Sequence, residues 1–480
     1  MDVGSDLPAL LFLKAGFTPL ADLCVIFSET MEVGDRLLCL TGGTSFGCHS
    51  RRALRILWEK SDAAPSLQSK TGFARVILYS TIPQYQARMT TPTIDRSEGP
   101  TMHVYLDNNS TTQVDPRVVD AMVPCFRKNY GNPSSAHWVG AEAGAAVEWA
   151  RQQIADLLNA ETGQIVFCSS ATEAINTVVR SAGVGEVVTS CVEHAATLES
   201  AASLVKHGGT ITAIGVDSAG ALDLAMLERA VARGPKLVSV MWVNNETGII
   251  FPIADVARLC QAGGVPLHVD AVQAVGKIDV DLMAVPISFL SISSHKIFGP
   301  KGVGALFVRD EAGVRPLIVG GGQERGLRAG TENVPGIVGF GEAARLARAE
   351  RSARVSRVAE LRDYFERGLA CIPNACVNGG QMSRVANTSN VRVADVDSGD
   401  LVAVLSGMGI AVSNGSACNA KSLAPSHVIQ AMTGSRKVAS ESLRFSLSHA
   451  NTFEEMDYVL QSLKSAIDLL DAPPKRKLCL

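Results

Sequence analysis

The sequence predicts an α/β fold: a large domain with a mainly parallel sheet covered by helices, followed by a smaller α+β domain. Beyond Met102, short apolar runs alternate with amphipathic helical segments, the pattern of strands buried on both faces. The runs end in hydroxyl, amide, imidazole or carboxylate residues, and ligands in such folds sit at the carboxyl ends of the strands. At 480 residues with 46% hydrophobic composition, the chain is long enough to bury a large core.

Residues 1–101 break this pattern, with mixed composition and no sustained alternation. The native product is expected to begin at or near Met102, with 1–101 an artefact of the start site or a disordered extension. The run His103-Val-Tyr-Leu-Asp-Asn-Asn-Ser-Thr-Thr112 reads as a small strand ending in a polar turn. Asp115-Pro116 is an N-cap followed by a proline at the first helical position, opening a helix toward Lys128 that Pro124 should kink. A long helix is predicted from Val139 to Ala160, with Glu142, Glu148, Arg151 and Asp156 on its outer face.

Strands then follow at Gln164–Cys168, Glu186–Ser190, Thr210–Val216, Lys236–Val243 and Pro266–Asp270. Helices separate them from about Thr172, near Thr197, over Asp223–Arg233 and through Asp255–Gln261. A further strand is expected over the apolar run Val285–Leu290, and another at Ala305–Val308.

The composition excludes several functions. A net charge of -3 with 19% charged residues offers no basic face for nucleic acid. The eleven cysteines include no Cys-x-x-Cys pair and no histidine at zinc spacing, so neither a metal site nor a disulfide framework is expected, and a cytoplasmic location is. No apolar run reaches membrane-helix length, and Leu7–Leu13 follows Asp2 and Asp6 where a secretory signal would be basic.

Chemistry-bearing residues gather at the strand ends. Ser169-Ser-Ala-Thr-Glu173 opens a helix in the way a phosphate requires, although an ordinary Ser/Thr cap reads the same. His194 follows the second strand, and Asn244-Asn-Glu-Thr-Gly248 either holds a phenolate-like oxygen or forms a turn. Asp270 ends its own strand. Lys296, in Ser291-Ile-Ser-Ser-His-Lys296, is the candidate amine for a Schiff base with an aldehyde cofactor. Lysine, aspartate and a hydroxyl-lined helix start are together what a pyridoxal-phosphate enzyme needs. The loop Ser413–Lys421 is polar and expected to expose Cys418, whereas Cys168 and Cys260 are expected to be buried.

From Tyr105 to about Val459 the chain resembles the cysteine desulfurases of class V aminotransferase fold, of the iron–sulfur-assembly and nitrogen-fixation type. The motifs that carry the resemblance include Tyr105–Thr112, Gly131-Asn-Pro-Ser-Ser-Ala-His137, Ser170-Ala-Thr-Glu173, Glu193-His194 and Val243-Asn-Asn-Glu246. They continue in order with His268-Val-Asp-Ala-Val-Gln273, Ser294-His-Lys-Ile-Phe-Gly-Pro300, Gly320–Thr331, Ser416-Ala-Cys418 and Leu443-Arg-Phe-Ser446.

The resemblance implies pyridoxal 5'-phosphate and fold type I, with a large cofactor domain over 118–360 and a small domain from 102–117 and 361–480 carrying the cysteine loop. It makes Lys296 the cofactor lysine, Asp270 the partner of the ring nitrogen, and His194 the ring-stacking residue with a part in proton transfer. Ala171, Thr172, Ser293 and His295 fall on cofactor positions toward the phosphate, Asn245 and Gln273 near the ring oxygen, and Ser294 is a further cofactor-binding position. Thr331 matches a residue that reaches the neighbouring subunit's site, which implies a homodimer. Arg444, with Asn245, matches the substrate side and Cys418 the sulfur acceptor, so the implied substrate is L-cysteine and the implied partner an iron–sulfur scaffold or another sulfur acceptor.

Asn414 and Asn419 depart from the residues more usual beside that cysteine. A selenocysteine lyase or plain class V aminotransferase would share Lys296 and Asp270. A non-catalytic nucleotide-binding domain would have only the weak Gly302-Val-Gly-Ala305 in its favour.

Overall fold

The computed structural model describes residues 102–415 and 425–471. The reading of 1–101 as an extension or start artefact, and that of Cys418, lie outside the described residues.

Strand β1 (Val104–Tyr105) leads through the polar turn to α1 (Pro116–Arg127). Asp115 caps that helix by accepting from the Arg117 N–H at 3.0 Å, and the helix runs on past Pro124. Helix α2 (Trp138–Leu158) ends where Asn159 takes a left-handed conformation, φ 49°.

The alternating region forms β2 (Ile165–Cys168), α3 (Ala171–Ser181), β3 (Glu186–Ser190), α4 (Ala195–Val205) and β4 (Thr210–Ile214). It continues with α5 (Leu224–Val231), β5 (Leu237–Met241), α6 (Ile253–Ala262), β6 (Leu267–Asp270), β7 (Phe289–Ser293) and β8 (Gly304–Val308). Strand β7 lies further along the chain than the apolar run suggested. Pro286 has no N–H for a ladder, so pairing starts beyond it.

These strands form one sheet in the order β2-β8-β7-β6-β5-β3-β4. Strand β8 is antiparallel to both its neighbours, and the other pairings are parallel. The carboxyl ends of β2, β3, β5, β6 and β7 therefore share one edge, where the functional candidates lie.

Helix α7 (Val334–Leu369) then connects two cores. Its first half, including Ile337, Phe340 and Leu346, packs in the core under the large sheet. Its second half, with Val358, Leu361 and Phe365, packs in another core together with Val104 and Leu106. That second core is completed by β9 (Ala375–Val377), β10 (Thr388–Val393), α8 (Ser398–Gly407), β11 (Ile410–Ala411), β12 (Ser442–Ser446) and α11 (Phe453–Asp471), while α9 (His427–Thr433) and α10 (Arg436–Ser440), which lead into β12, pack in the first core. Strands β12, β10 and β9 form an antiparallel sheet, and β1 pairs with β11.

One predicted surface residue is buried. Arg151 on α2 is 5% exposed and makes a two-pronged pair with Glu324, both contacts at 2.8 Å. Glu324 also accepts from the Phe167 N–H on β2 at 2.7 Å, and the guanidinium lies over the Phe167 ring. Helical periodicity alone could not place it inside, because Glu324 comes from a distant glycine-rich segment.

Removing Glu324 leaves the buried guanidinium with only the exposed Glu148 as an acid partner. Glu324→Ala should cost about 3–5 kcal/mol in urea unfolding, the range for breaking a buried pair. A loss below about 1 kcal/mol, the scale of an exposed pair, would contradict this burial.

Candidate active site

A cavity of about 300 Å³ opens at the shared carboxyl edge of the sheet. Asp270, the last residue of β6, is 6% exposed, and its Oδ1 accepts from the Val272 N–H at 3.0 Å. Burial pushes its pKa up to about 6, against the lowering effects of that N–H and of the Lys296 charge. A buried carboxyl so placed favours a cationic or N–H partner in the cavity.

Beyond β7 the chain makes a short 3-10 turn, Ser294–Lys296, which brings Lys296 to the cavity wall. The Lys296 Nζ donates to the carbonyls of Asn109 at 2.6 Å and Ser110 at 2.7 Å, both in the polar turn after β1. That turn is laced to the lysine turn elsewhere. Thr112 donates to the His295 carbonyl through both N–H and hydroxyl, and His295 Nδ1 bonds the Thr111 hydroxyl at 3.1 Å. Phe298 closes the turn at φ 67°, its N–H donating to Thr112 Oγ1 and its carbonyl accepting from the Asp115 N–H.

His194 follows β3 and caps α4: its Nδ1 accepts from the Ala196 N–H at 3.1 Å, so a neutral ring carries its proton on Nε2. Burial, then the Lys296, His427 and Arg444 charges, pull its pKa down to about 4.

At the start of α3, Ser170 caps the helix while Ala171 and the exposed Thr172 bring the first turn to the cavity. Gly304 on β8 makes this possible. A Cβ there would stand 2.8 Å from the Ser170 carbonyl carbon and 3.0 Å from the Ala171 nitrogen. The first-turn acid, Glu173, is paired with Arg328 at 2.9 Å, which offsets its repulsion of an anion at this helix start.

Arg444 on β12 is 2% exposed. It donates to the Asn245 carbonyl at 3.1 Å and, at 2.7 Å each, to Asp107 Oδ1 and the Ser110 hydroxyl. Its buried Nε–H has no partner among the described residues, so the guanidinium retains a donor for an acceptor not present here.

Asn245, Gln273 and Ser293 also line the cavity. Asn244 itself builds a turn, its Oδ1 accepting from the N–H groups of Glu246 and Thr247, while Asn245 faces the cavity. Ser294 and Thr331 do not line the cavity. The Ser294 hydroxyl, at the start of the 3-10 turn, is enclosed beside Gly299, and Thr331 is exposed. Cys418 lies outside the described residues.

Asn109, Ser110 and Glu193 were not singled out from the sequence as site residues. Asn109 and Ser110 read there only as part of a polar turn. Glu193 is fully buried beside His194, accepting from the Ser190 hydroxyl at 2.5 Å and the Met241 N–H at 2.9 Å. Burial is the main reason its pKa rises to about 8. The donor set fits the aldehyde cofactor implied by the resemblance, since an amine, a buried carboxyl and a helix start all open onto one cavity.

The sequence model of the family described as aminotransferase class-V matches residues 104–459. A cysteine desulfurase of Gluconacetobacter diazotrophicus is 47% identical over 372 residues, which are 76% of this chain and 93% of that protein. The cysteine desulfurase NifS of Azotobacter vinelandii is 44% identical over 367 residues, 75% of this chain and 91% of the other. A solved NifS-like protein from Rickettsia africae aligns with a TM-score of 0.71 at 31% identity, covering 76% of this chain and all of that one.

Without a ligand, Asp270 binds a proton more tightly in the folded chain, near pH 6, than at its ordinary value of 3.8. Between these values the native state carries the extra proton, so its stability falls as pH rises, by up to about 1.4 kcal/mol per pH unit. In ligand-free protein, Asp270→Asn should flatten that fall and be the more stable form above pH 6. Identical pH profiles of urea unfolding for the two proteins would contradict the assignment.

Proposed function

The chain belongs to the aminotransferase class-V family, and from that premise we propose that it is a pyridoxal-phosphate-dependent cysteine desulfurase. On this reading it converts L-cysteine to L-alanine and leaves the sulfur as a persulfide on Cys418 for delivery to iron–sulfur cluster assembly. The observation that carries the reading is the convergence of Lys296, Asp270, His194, Arg444 and the start of α3 on one cavity.

Bound there, pyridoxal 5'-phosphate supplies an electron sink for charge developing at the substrate Cα. Lys296 is the amine that holds its aldehyde. Asp270 keeps the proton on the ring nitrogen, with its otherwise unfavourable burial offset by the charge it faces. Ala171, Thr172, Ser293 and His295 serve the phosphate side, where α3 offers its N–H groups. Asn245 and Gln273 serve the ring-oxygen side. Ser294 is also a cofactor residue by the resemblance, and its hydroxyl is enclosed beside Gly299.

Arg444 holds the substrate carboxylate, for which its unpartnered Nε–H and fork geometry are suited. His194, neutral and protonated on Nε2, would hold the cofactor ring from the cavity wall and, with Lys296, would carry protons to and from the substrate Cα. The Cys418 thiolate takes the sulfur atom. The substrate C–S bond breaks as an S–S bond forms, and protonation of the carbon released gives alanine. Burial argues against Cys168 and Cys260 in this role, because it pushes both thiols up to about 12.

The same reading includes a homodimer, supported by the exposed Phe126, Tyr130, Trp138 and Val319 and by the outward position of Thr331. It also includes the division into a large domain over 118–360 and a small one over 102–117 and 361–480, supported by the second core, which draws on β1, β9 to β12, α8 and α11, although Val385, Val428, Ile429, Met432 and Ala439 pack in the first. A cytoplasmic location is supported by the free thiols of Cys125, Cys168, Cys191, Cys260, Cys371 and Cys376. Among the described residues no helix is long and apolar enough to cross a membrane.

Cys418→Ser tests the sulfur step. A hydroxyl at neutral pH is a far weaker nucleophile than a thiolate, so alanine production from L-cysteine should fall by at least about a hundredfold while L-cysteine still perturbs the visible spectrum. Mass spectrometry of the wild type should show an added sulfur on the Cys418 peptide. Unchanged alanine production in the variant would favour a selenocysteine lyase or a plain aminotransferase.

A further inference from the structure

Lys277 is a second amine beside this site that no step above uses. Its Nζ donates to Gln273 Oε1 and, at 3.2 Å, to Asn109 Oδ1. Gln273 and Asn109 line the cavity; Lys277 stands behind them. The turn that points it inward depends on Gly276, at φ 77°, where a Cβ would come within 3.0 Å of Ile297, the residue after Lys296. The turn of Lys277 and the turn of Lys296 thus pack against each other.

The charged Lys277 ammonium can only donate, so the Gln273 atom facing it is the carbonyl oxygen. At the other end, Gln273 Nε2 donates to the Asn109 carbonyl at 2.9 Å, an atom that can only accept. A flipped amide would meet two like partners, so its orientation is fixed at both ends. One N–H of Nε2 goes to Asn109, and the other is left for the cavity side. Gln273 therefore presents a donor there rather than its carbonyl.

Asn109 is equally constrained. Its Oδ1 accepts from Lys277 and from Asn387 Nδ2 at 2.9 Å, and its Nδ2 donates to the Asn245 carbonyl at 3.1 Å and Thr388 Oγ1 at 2.9 Å. Its N–H donates to the Ser446 hydroxyl at 3.0 Å. The carbonyl it offers to Lys296 has little freedom to move.

We propose that Lys277 is a positioning residue for the reaction: it fixes Gln273 as a donor toward the cofactor's ring oxygen and, through Asn109, sets the resting position of the Lys296 amine. The inference rests on the function proposed above.

Charge adds to the geometric effect. Burial, then the Lys296 and Arg444 cations, pull the Lys277 pKa down to about 7, and the repulsion between the two lysines is mutual. Around Lys296 the other titratable or charged groups are His194, Asp270, His295 and the Arg444–Asp107 pair. From α7 and the segment after β12, Arg354 and His449 line the adjoining cavity that Lys277 and Lys296 share. None of these changes when Lys277 is replaced.

Lys277→Met keeps the stem and removes the donors and the charge. In the cofactor-loaded enzyme, the pH midpoint of the visible absorption should rise by about one unit, because a cation beside Lys296 and a fixed donor to the ring oxygen are both lost. In cofactor-free protein, the pH midpoint for acylation of Lys296, read by peptide mass spectrometry, should also rise. In a Gln273→Leu background the same Lys277 change should shift the loaded enzyme less, since one of its two routes is gone.

Should Lys277→Met fail to fold, Lys277→Gln, neutral but still able to donate, tests the charge with the same direction expected. A wild type that takes up no cofactor would overturn the proposed function and this inference with it. Cofactor uptake by the wild type, beside a neutral Lys277 variant with both midpoints unchanged, would overturn this inference alone.

Discussion

The peptide carbonyl of Asn109 is the point on which the site depends. It accepts from the Lys296 ammonium and from the Gln273 amide, two groups on separate loops at the carboxyl edge of the sheet. It can serve both because the Asn109 side chain is tied into the second core's strands, through Thr388 at the start of β10 and its neighbour Asn387. The segment after β1, itself paired with β11, is thereby pinned between the large sheet and the smaller one. Moving this turn would shift the Lys296 amine and the Gln273 amide together.

The electrostatics of the cavity follow from how little water reaches its walls. Asp270 and Glu193 are acids whose pKa values rise on burial, while His194 and His295 are imidazoles held neutral, both with values near 4. A ligand that brings positive charge to Asp270 and negative charge to α3 and Arg444 relieves these costs at once. The ligand-free site stores an unfavourable arrangement that binding corrects, the expected sign for a preorganised polar site.

Most of the fold was legible because apolar runs buried on both faces have few alternatives. Strand β3 lies where the sequence put it, and β2, β5 and β6 differ by a residue or two at their ends. Strand β7 starts later than its apolar run because Pro286 has no N–H to give a ladder. Arg151 was misplaced because the acid and the ring that keep it inside belong to segments remote in sequence. At the site, Lys296, Asp270 and His194 announced themselves as reactive residue types at strand ends. Asn109 and Lys277 did not, since an asparagine in a polar turn and a lysine after a glycine look alike in solvent and in a network. Their roles emerge only once residues far apart in the chain share hydrogen bonds.

The central claim is that Lys296, rather than its half-buried neighbour Lys277, carries the cofactor. Borohydride reduction of the loaded enzyme, followed by proteolysis and peptide mass spectrometry, tests it directly, because reduction fixes the cofactor to the amine it occupies. The added mass is expected on the peptide containing Lys296 and none on the peptide containing Lys277. Label on Lys277, or on neither lysine, would contradict it.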